Sequence, residues 1–221
     1  SMQLNNGASA GTWSSGKQVT GKIKGALAFT DTDDSISVPD SPTTSPASAF
    51  SYSFWLNPND TGVSLASWLI HGAYNDGMTM GHYYTYPMSI WIGNATTFGQ
   101  YVTYADIRGT TWHYFVVSYD GTQAAADRLQ IYMDGHYGTN VSGYYPPTAI
   151  TNPTTATIIG GANANTSGIM DEVRISGIPR SIGWAETEYN NQNAPTTFST
   201  IGIEQTAAAP ATGNAFFFGE F

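Results

Sequence analysis

The chain has 221 residues, none of them cysteine, with a formal charge of −9 and only 10% charged side chains. Without cysteine there is no disulfide framework, thiol catalysis or cysteine-type zinc site; with only seven basic residues there is no Lys/Arg stripe for nucleic acid or an anionic membrane. No apolar run approaches the roughly 20 residues of a membrane-spanning helix, and the Gly-, Ser-, Thr-, Asn- and Tyr-rich remainder suits short strands joined by turns.

In chain order, residues 1–17 read as a polar segment ahead of the folded unit. No leader peptide is visible, and Ser1-Met2 reads as a cloning remnant before polar Gln3-Leu4-Asn5-Asn6. Strands are predicted at 23–30 and 34–39. Phe50, Tyr52, Phe54 and Leu56 then alternate with Ser51, Ser53, Trp55 and Asn57, the pattern of a half-buried strand. After strands at 65–71 and 77–83, Met88, Ile90 and Ile92 alternate with Ser89, Trp91 and Gly93. A further strand is predicted at 98–104. Trp112 to Tyr119 is apolar on both faces, as a central strand requires, and Asp120-Gly121 closes it. Leu129, Ile131 and Met133 alternate with Gln130, Tyr132 and Asp134, followed by an Asp134-Gly135 turn. Strands at 156–160 and 168–176 complete the set. So many short strands at close spacing predict an all-β fold, a two-sheet antiparallel sandwich or jelly roll. Ser181 can cap one short C-terminal helix, with Ile182, Ala185 and Tyr189 on one face, running to about 192. The folded domain is placed at 18–203; residues 204–221, with linker-like Ala207-Ala208-Ala209-Pro210 and the apolar Phe216-Phe217-Phe218, form a tail.

Several residue types suggest a binding surface. Trp55, Trp91 and Tyr132 lie on the polar side of alternating strands. Such rings are either a stacking platform for a sugar or core, if that face is covered. The segments Tyr83-Tyr84-Thr85-Tyr86-Pro87 and Tyr144-Tyr145-Pro146-Pro147 place aromatic rings on loops, where recognition concentrates. The candidate ligand residues are therefore Trp91, Tyr83, Tyr84, Tyr86, Tyr144, Tyr145 and His82. The four histidines show no zinc-type spacing, although His71 and His82 could approach one another across a hairpin. Asp31, Asp33 and Asp34 crowd one turn, as a hard oxygen-loving cation requires or as a solvated, self-capping turn would. No nucleophile elbow or phosphate loop occurs.

Three stretches carry a family resemblance: Gly25-Ala26-Leu27-Ala28-Phe29 through Ser35-Ile36-Ser37-Val38-Pro39; Trp112 through Gly121 with Leu129 through Gly135; and Gly168-Ile169-Met170-Asp171-Glu172-Val173-Arg174-Ile175-Ser176 with the helix after it. In this order, over residues 22–203, they resemble the concanavalin A-like lectin/glucanase superfamily, in particular the laminin-G-like jelly rolls of bacterial surface and secreted proteins. The resemblance implies a structural Ca2+ between the opening hairpin and the closing strand, with Asp31, Asp33 and Asp171 as its residues. Retaining glucanases of that superfamily carry Glu-x-Asp-x-x-Glu on one strand face, a spacing absent among Glu172, Glu186, Glu188, Glu204 and Glu220. The expectation is a non-catalytic binding module of a secreted or cell-surface protein, monomeric in isolation, recognising a glycan or surface polysaccharide. The alternatives are an adhesion or spacer domain that recognises protein or nothing, and, third, a glycoside-active enzyme.

Overall fold

In the computed structural model of the chain, the described residues are 8–10, 15–30, 33–42, 44, 46–58, 65–73, 76–83, 88–102, 107, 109–140, 144–151, 154–160 and 168–198. The strands are β1 (Ala8–Ala10), β2 (Gln18–Thr20), β3 (Gly25–Phe29), β4 (Ser35–Val38), β5 (Ala49–Pro58), β6 (Leu65–Ala73), β7 (Asp76–Tyr83), β8 (Ser89–Asn94), β9 (Phe98–Val102), β10 (His113–Asp120), β11 (Leu129–Met133), β12 (His136–Tyr137), β13 (Thr139–Asn140), β14 (Thr157–Gly160) and β15 (Gly168–Ser176). Helix α1 (Ile182–Asn193) follows, then the single turn α2 (Pro195–Phe198). Eight strands pair in the order β1-β4-β14-β6-β7-β8-β9-β13 and seven in the order β12-β11-β10-β5-β15-β3-β2. Every pairing is antiparallel, so the expected two-sheet sandwich is the fold.

The predicted alternation sets the core. Phe50, Tyr52, Phe54 and Leu56 of β5 point between the sheets with Phe115, Val117 and Tyr119 of β10 and Leu129 and Ile131 of β11. Leu69, Met78, Met80, Ile90 and Ile92 meet them from the eight-stranded sheet. Burying one Phe or Leu side chain contributes about 1.5–3 kcal/mol, so this interlayer is where most of the stability resides.

The outer face of the seven-stranded sheet is covered too. Trp55, Tyr114, Val116 and Tyr132 form a second buried cluster with Ala185 of α1, and Trp184 and Tyr189 pack against it. Ser181 caps this helix by accepting the Trp184 N–H at 3.3 Å. Its sheet-facing side differs from the predicted one in its first turn. Ile182 is 41% exposed and points away; Trp184, Ala185, Glu188, Tyr189 and Gln192 are the residues wholly or partly buried. The small side chain of Ala185 lets the helix approach the sheet, and Gln192 accepts the Trp55 indole N–H at 2.6 Å.

Two features reach beyond the predicted strands. Ala8–Ala10, ahead of the domain start placed at 18, pairs with β4 at the edge of the eight-stranded sheet. The segment from β12 to β13 leaves the edge of one sheet and joins the edge of the other, covering one open side of the sandwich. Near the opposite edge, Lys17 forms an ion pair with Asp34, whose side chain has no exposed surface. The Lys17 ammonium also donates to Thr30 Oγ1 at 2.6 Å, and the Thr30 N–H donates to Asp34 Oδ2 at 2.9 Å. One aspartate of the crowded turn is thus neutralised by lysine. Removing one partner of a buried pair leaves an uncompensated charge, typically costing about 3–5 kcal/mol. Asp34→Ala should lower the unfolding free energy by about that amount in urea denaturation, and the double variant Lys17→Met/Asp34→Leu should recover most of it.

Candidate functional site

The structure separates the candidate ligand residues. Trp91 stands on the outer face of the eight-stranded sheet, in register with Thr79 and Gln100, but is only 3% exposed. Trp55 and Tyr132 lie beneath α1. For all three rings the face is covered, the second of the two alternatives. His82 and Tyr83 occupy the end of β7 opposite Ala66 and Leu65; Tyr84 and Tyr86 lie outside the described residues. His71 is opposite Met78, so His71 and His82 share a hairpin but sit four residues apart along β7, about 13 Å. The buried His71 instead contacts the Thr157 hydroxyl at 3.1 Å.

Tyr144 and Tyr145 are 47% and 43% exposed. They precede Pro146 and Pro147, which are buried at the opposite end of the sandwich from Tyr83. Pro146 packs on Gly99, which is in register with Ile92 and, through it, with Met78, five residues along β7 from Tyr83. The tyrosine-bearing loop is held firmly. The Tyr119 hydroxyl donates to the Pro147 carbonyl at 2.7 Å, and burial pushes that phenol up to about 12. A Cβ on Gly99 would collide with Pro146, and one on Gly121 with the Thr148 carbonyl, so both positions require glycine for close approach.

Arg128 joins this loop to a polar cleft of about 240 Å3. Its Nη1 donates to the Pro146 carbonyl at 2.9 Å and its Nε to the Gln123 carbonyl at 3.2 Å. The cleft lies between the β10–β11 connection, which supplies Asp120, Gln123, Asp127 and Arg128, and the β15–α1 connection, which supplies Arg180 and Ser181. Asp120 accepts from the Thr122 hydroxyl at 2.6 Å, Gln123 Nε2 at 2.8 Å and the Thr122 N–H at 3.0 Å. These donors hold its carboxyl below the usual range, so it stays an acceptor at neutral pH. The cleft therefore presents charged and amide donors and acceptors together, and Arg128 ties its wall to Pro146, next in the chain to the exposed Tyr145. None of its charged residues had been singled out in the sequence. They come from two connections some 50 positions apart and share no local spacing.

A larger cavity of about 540 Å3 lies between β2, β3 and β15 on one side and β4 and β14 on the other. Leu27, Phe29, Ile36, Val38, Ile159 and Met170 dominate its lining, leaving few partners for a hydroxylated ligand.

Of the residues expected at a calcium ion, the two described, Asp33 and Asp171, lie toward opposite ends of β3. Asp31 lies outside the described residues and Asp33 is exposed in the turn after β3. The strand register puts Asp171 beyond Met170, which pairs with Leu27 toward the opposite end of β3. Its carboxylate is already engaged: Oδ2 accepts the Ile23 N–H and Oδ1 the Glu172 N–H, both at 2.8 Å. Glu172 has a positive φ of 52° in a bulge of β15. Asp171 thereby ties the β2–β3 turn to the bulge. Among the described residues, no three His, Cys, Asp or Glu side chains could hold a metal together. Orphaning two part-buried N–H groups costs about 1–3 kcal/mol each. Asp171→Ala should therefore lower the melting temperature by several degrees equally in chelator and in millimolar calcium; a loss seen only in calcium would place a cation there.

No curated protein matches the sequence. Solved structures do. The binding domain of Paraclostridial Mosquitocidal Protein 1 superposes with a TM-score of 0.61 at 14% identity, over 79% of this chain and 45% of that one. A botulinum neurotoxin type C structure, from a toxin whose cell entry depends on interaction with two ganglioside molecules, gives 0.61 at 15%, over 86% and 47%. Domain 4 of a GH43 extracellular arabinanase from Geobacillus stearothermophilus, in complex with arabinotriose, gives 0.58 at 16%, over 76% and 78%. The chain thus spans a little under half of each toxin chain it matches. At these identities the likeness is one of fold. The family model for this fold matches residues 30–183, well over half of the chain, and the protein belongs to the concanavalin A-like lectin/glucanases superfamily.

Proposed function

We propose that this protein is a non-catalytic glycan-binding module, acting outside the cell or at its surface. The observation that carries this reading is the pair of exposed rings, Tyr144 and Tyr145, directly before Pro146 and Pro147, whose carbonyls are held by Tyr119 and by Arg128 of the polar cleft. A pyranose or furanose packs its C–H face on an aromatic ring while its hydroxyls exchange hydrogen bonds with amides, carboxylates and guanidinium groups. Asp120, Gln123, Asp127, Arg128 and Arg180 supply those groups within one cleft. The association of similar folds with gangliosides and with arabinotriose supports a sugar as the ligand.

The carboxylates near the bulge and helix favour binding over hydrolysis. Arg174 donates to both Glu172 and Glu188, at 2.6 and 2.7 Å, and Asp171 is held by backbone N–H groups. A retaining glycosidase needs two carboxyl groups about 5 Å apart across an open cleft, one of them free to protonate a leaving group. Carboxylates committed to a shared guanidinium do not meet that need.

Tyr145→Ala should weaken retention on an oligosaccharide matrix by about 1 kcal/mol, roughly fivefold, with Tyr144→Ala acting in the same direction. Incubation with arabinan, β-glucans and animal glycans should release no reducing ends. Unchanged retention in both tyrosine variants would move the site elsewhere, and turnover abolished by a single Asp or Glu substitution would reassign the protein as an enzyme.

A further inference from the structure

We propose that the cleft is selective for an acidic sugar, a uronic or sialic acid type, whose carboxylate pairs with Arg180; this rests on the glycan-binding reading above. The Arg180 guanidinium lies 4.8 Å over the Trp184 ring, and its Nε is buried with no hydrogen-bond acceptor among the described residues. Several other cations of the described residues are engaged. Lys17 pairs with Asp34, Arg174 with Glu172 and Glu188, and Arg128 donates to two carbonyls. Arg180 also lines the cleft, yet no ion pair joins it to Asp120 or Asp127 among the described residues. A guanidinium N–H taken out of water without an acceptor costs free energy that a carboxylate can return, because the planar fork matches two oxygens at once. Stacking on Trp184 fixes the orientation of that fork, so little side-chain entropy remains to be lost on binding.

The surroundings agree with an anion at this point. Helix α1 begins beside Arg180, its first turn contains no acidic residue, and Ser181 Oγ occupies only the Trp184 N–H. Ser181, the cap of this helix, itself lines the cleft, so the positive end of the helix dipole lies at its wall. Of the cleft's own carboxylates, Asp120 already accepts from Thr122 and Gln123, and Asp127 is exposed. An acidic sugar seated at Arg180 leaves Asp127 and Gln123 for its hydroxyls.

The full chain is titrated with 3′-sialyllactose and trigalacturonate, and in parallel with lactose and galactotriose, by calorimetry and by the Trp184 indole N–H resonance. At least one acidic sugar should bind roughly tenfold or more tightly than its neutral counterpart, a difference of about 1.4 kcal/mol, and should shift the indole signal. Arg180→Gln should erase that preference, bringing each acidic sugar to the affinity of its neutral counterpart, while leaving the melting temperature unchanged. Arg180→Lys should restore only part of it, since an ammonium lacks the fork. Equal affinity for acidic and neutral sugars, indifferent to Arg180→Gln, would overturn the carboxylate assignment and leave the glycan reading standing. Binding of none of the four probes would overturn both.

Discussion

Helix α1 lies across the outer face of the seven-stranded sheet, and the placement of the remaining aromatic surface depends on that contact. Trp55 is held there from several directions: its ring packs 5.1 Å from Tyr114 and 5.8 Å from Tyr189, Lys22 stands 4.7 Å over it, and Gln192 takes its indole N–H. With Tyr132 buried in the same cluster, the sheet face is a second core. Sugar platforms on β-sandwiches need open rings. Two exposed rings, Tyr144 and Tyr145, stand instead on a loop that Arg128 ties to the β10–β11 connection, which shares one cleft with the β15–α1 junction.

That division of labour follows from a constraint on small polar residues. Ser51, Ser53 and Ser118 on the outer face are buried although they belong to the polar side of their strands, because short side chains let the returning chain lie close. The Ser51 hydroxyl donates to the Ile178 carbonyl at 2.9 Å, which anchors the segment carrying Arg180 into the helix cap Ser181. A rigid scaffold and a loop-borne site are therefore one construction: the bonds that pin the helix also pin the cleft wall.

Much of the fold was legible in the sequence, and the reasons it was so also mark where legibility stopped. Period-two alternation identified β5, β8 and β11 and which side of each faces inward, because a strand's side chains can point only two ways. Alternation says nothing about what covers the other side, so Trp55, Trp91 and Tyr132 could be read as platform or core, and the structure makes all three buried. The helix was legible from Ser181, but not its seating: Ile182 sits in a first turn beyond the sheet, so its apolar side chain was misleading. His71 and His82 belong to one hairpin as read, yet register is set by the turn and by a shift between Ser67 and Leu69, which spacing does not reveal. Asp171 was singled out, but its partner Ile23 N–H lies 148 residues away in sequence. Of the ligand candidates, Tyr144 and Tyr145 stand exposed, whereas the charged residues lining the cleft had no local motif to betray them.

The central claim is one of location: ligand meets the protein at the Tyr144–Tyr145 rim and the adjoining cleft. Mapping amide chemical shifts of the isotopically labelled chain against a panel of neutral and acidic oligosaccharides tests it most directly. The account predicts that a binding sugar perturbs residues 118–130, 144–147 and 178–184 as one contiguous patch. Perturbations centred instead on Thr79 and Trp91, or on the end of the sandwich that carries Leu65 and Tyr83, with the cleft silent, would contradict it.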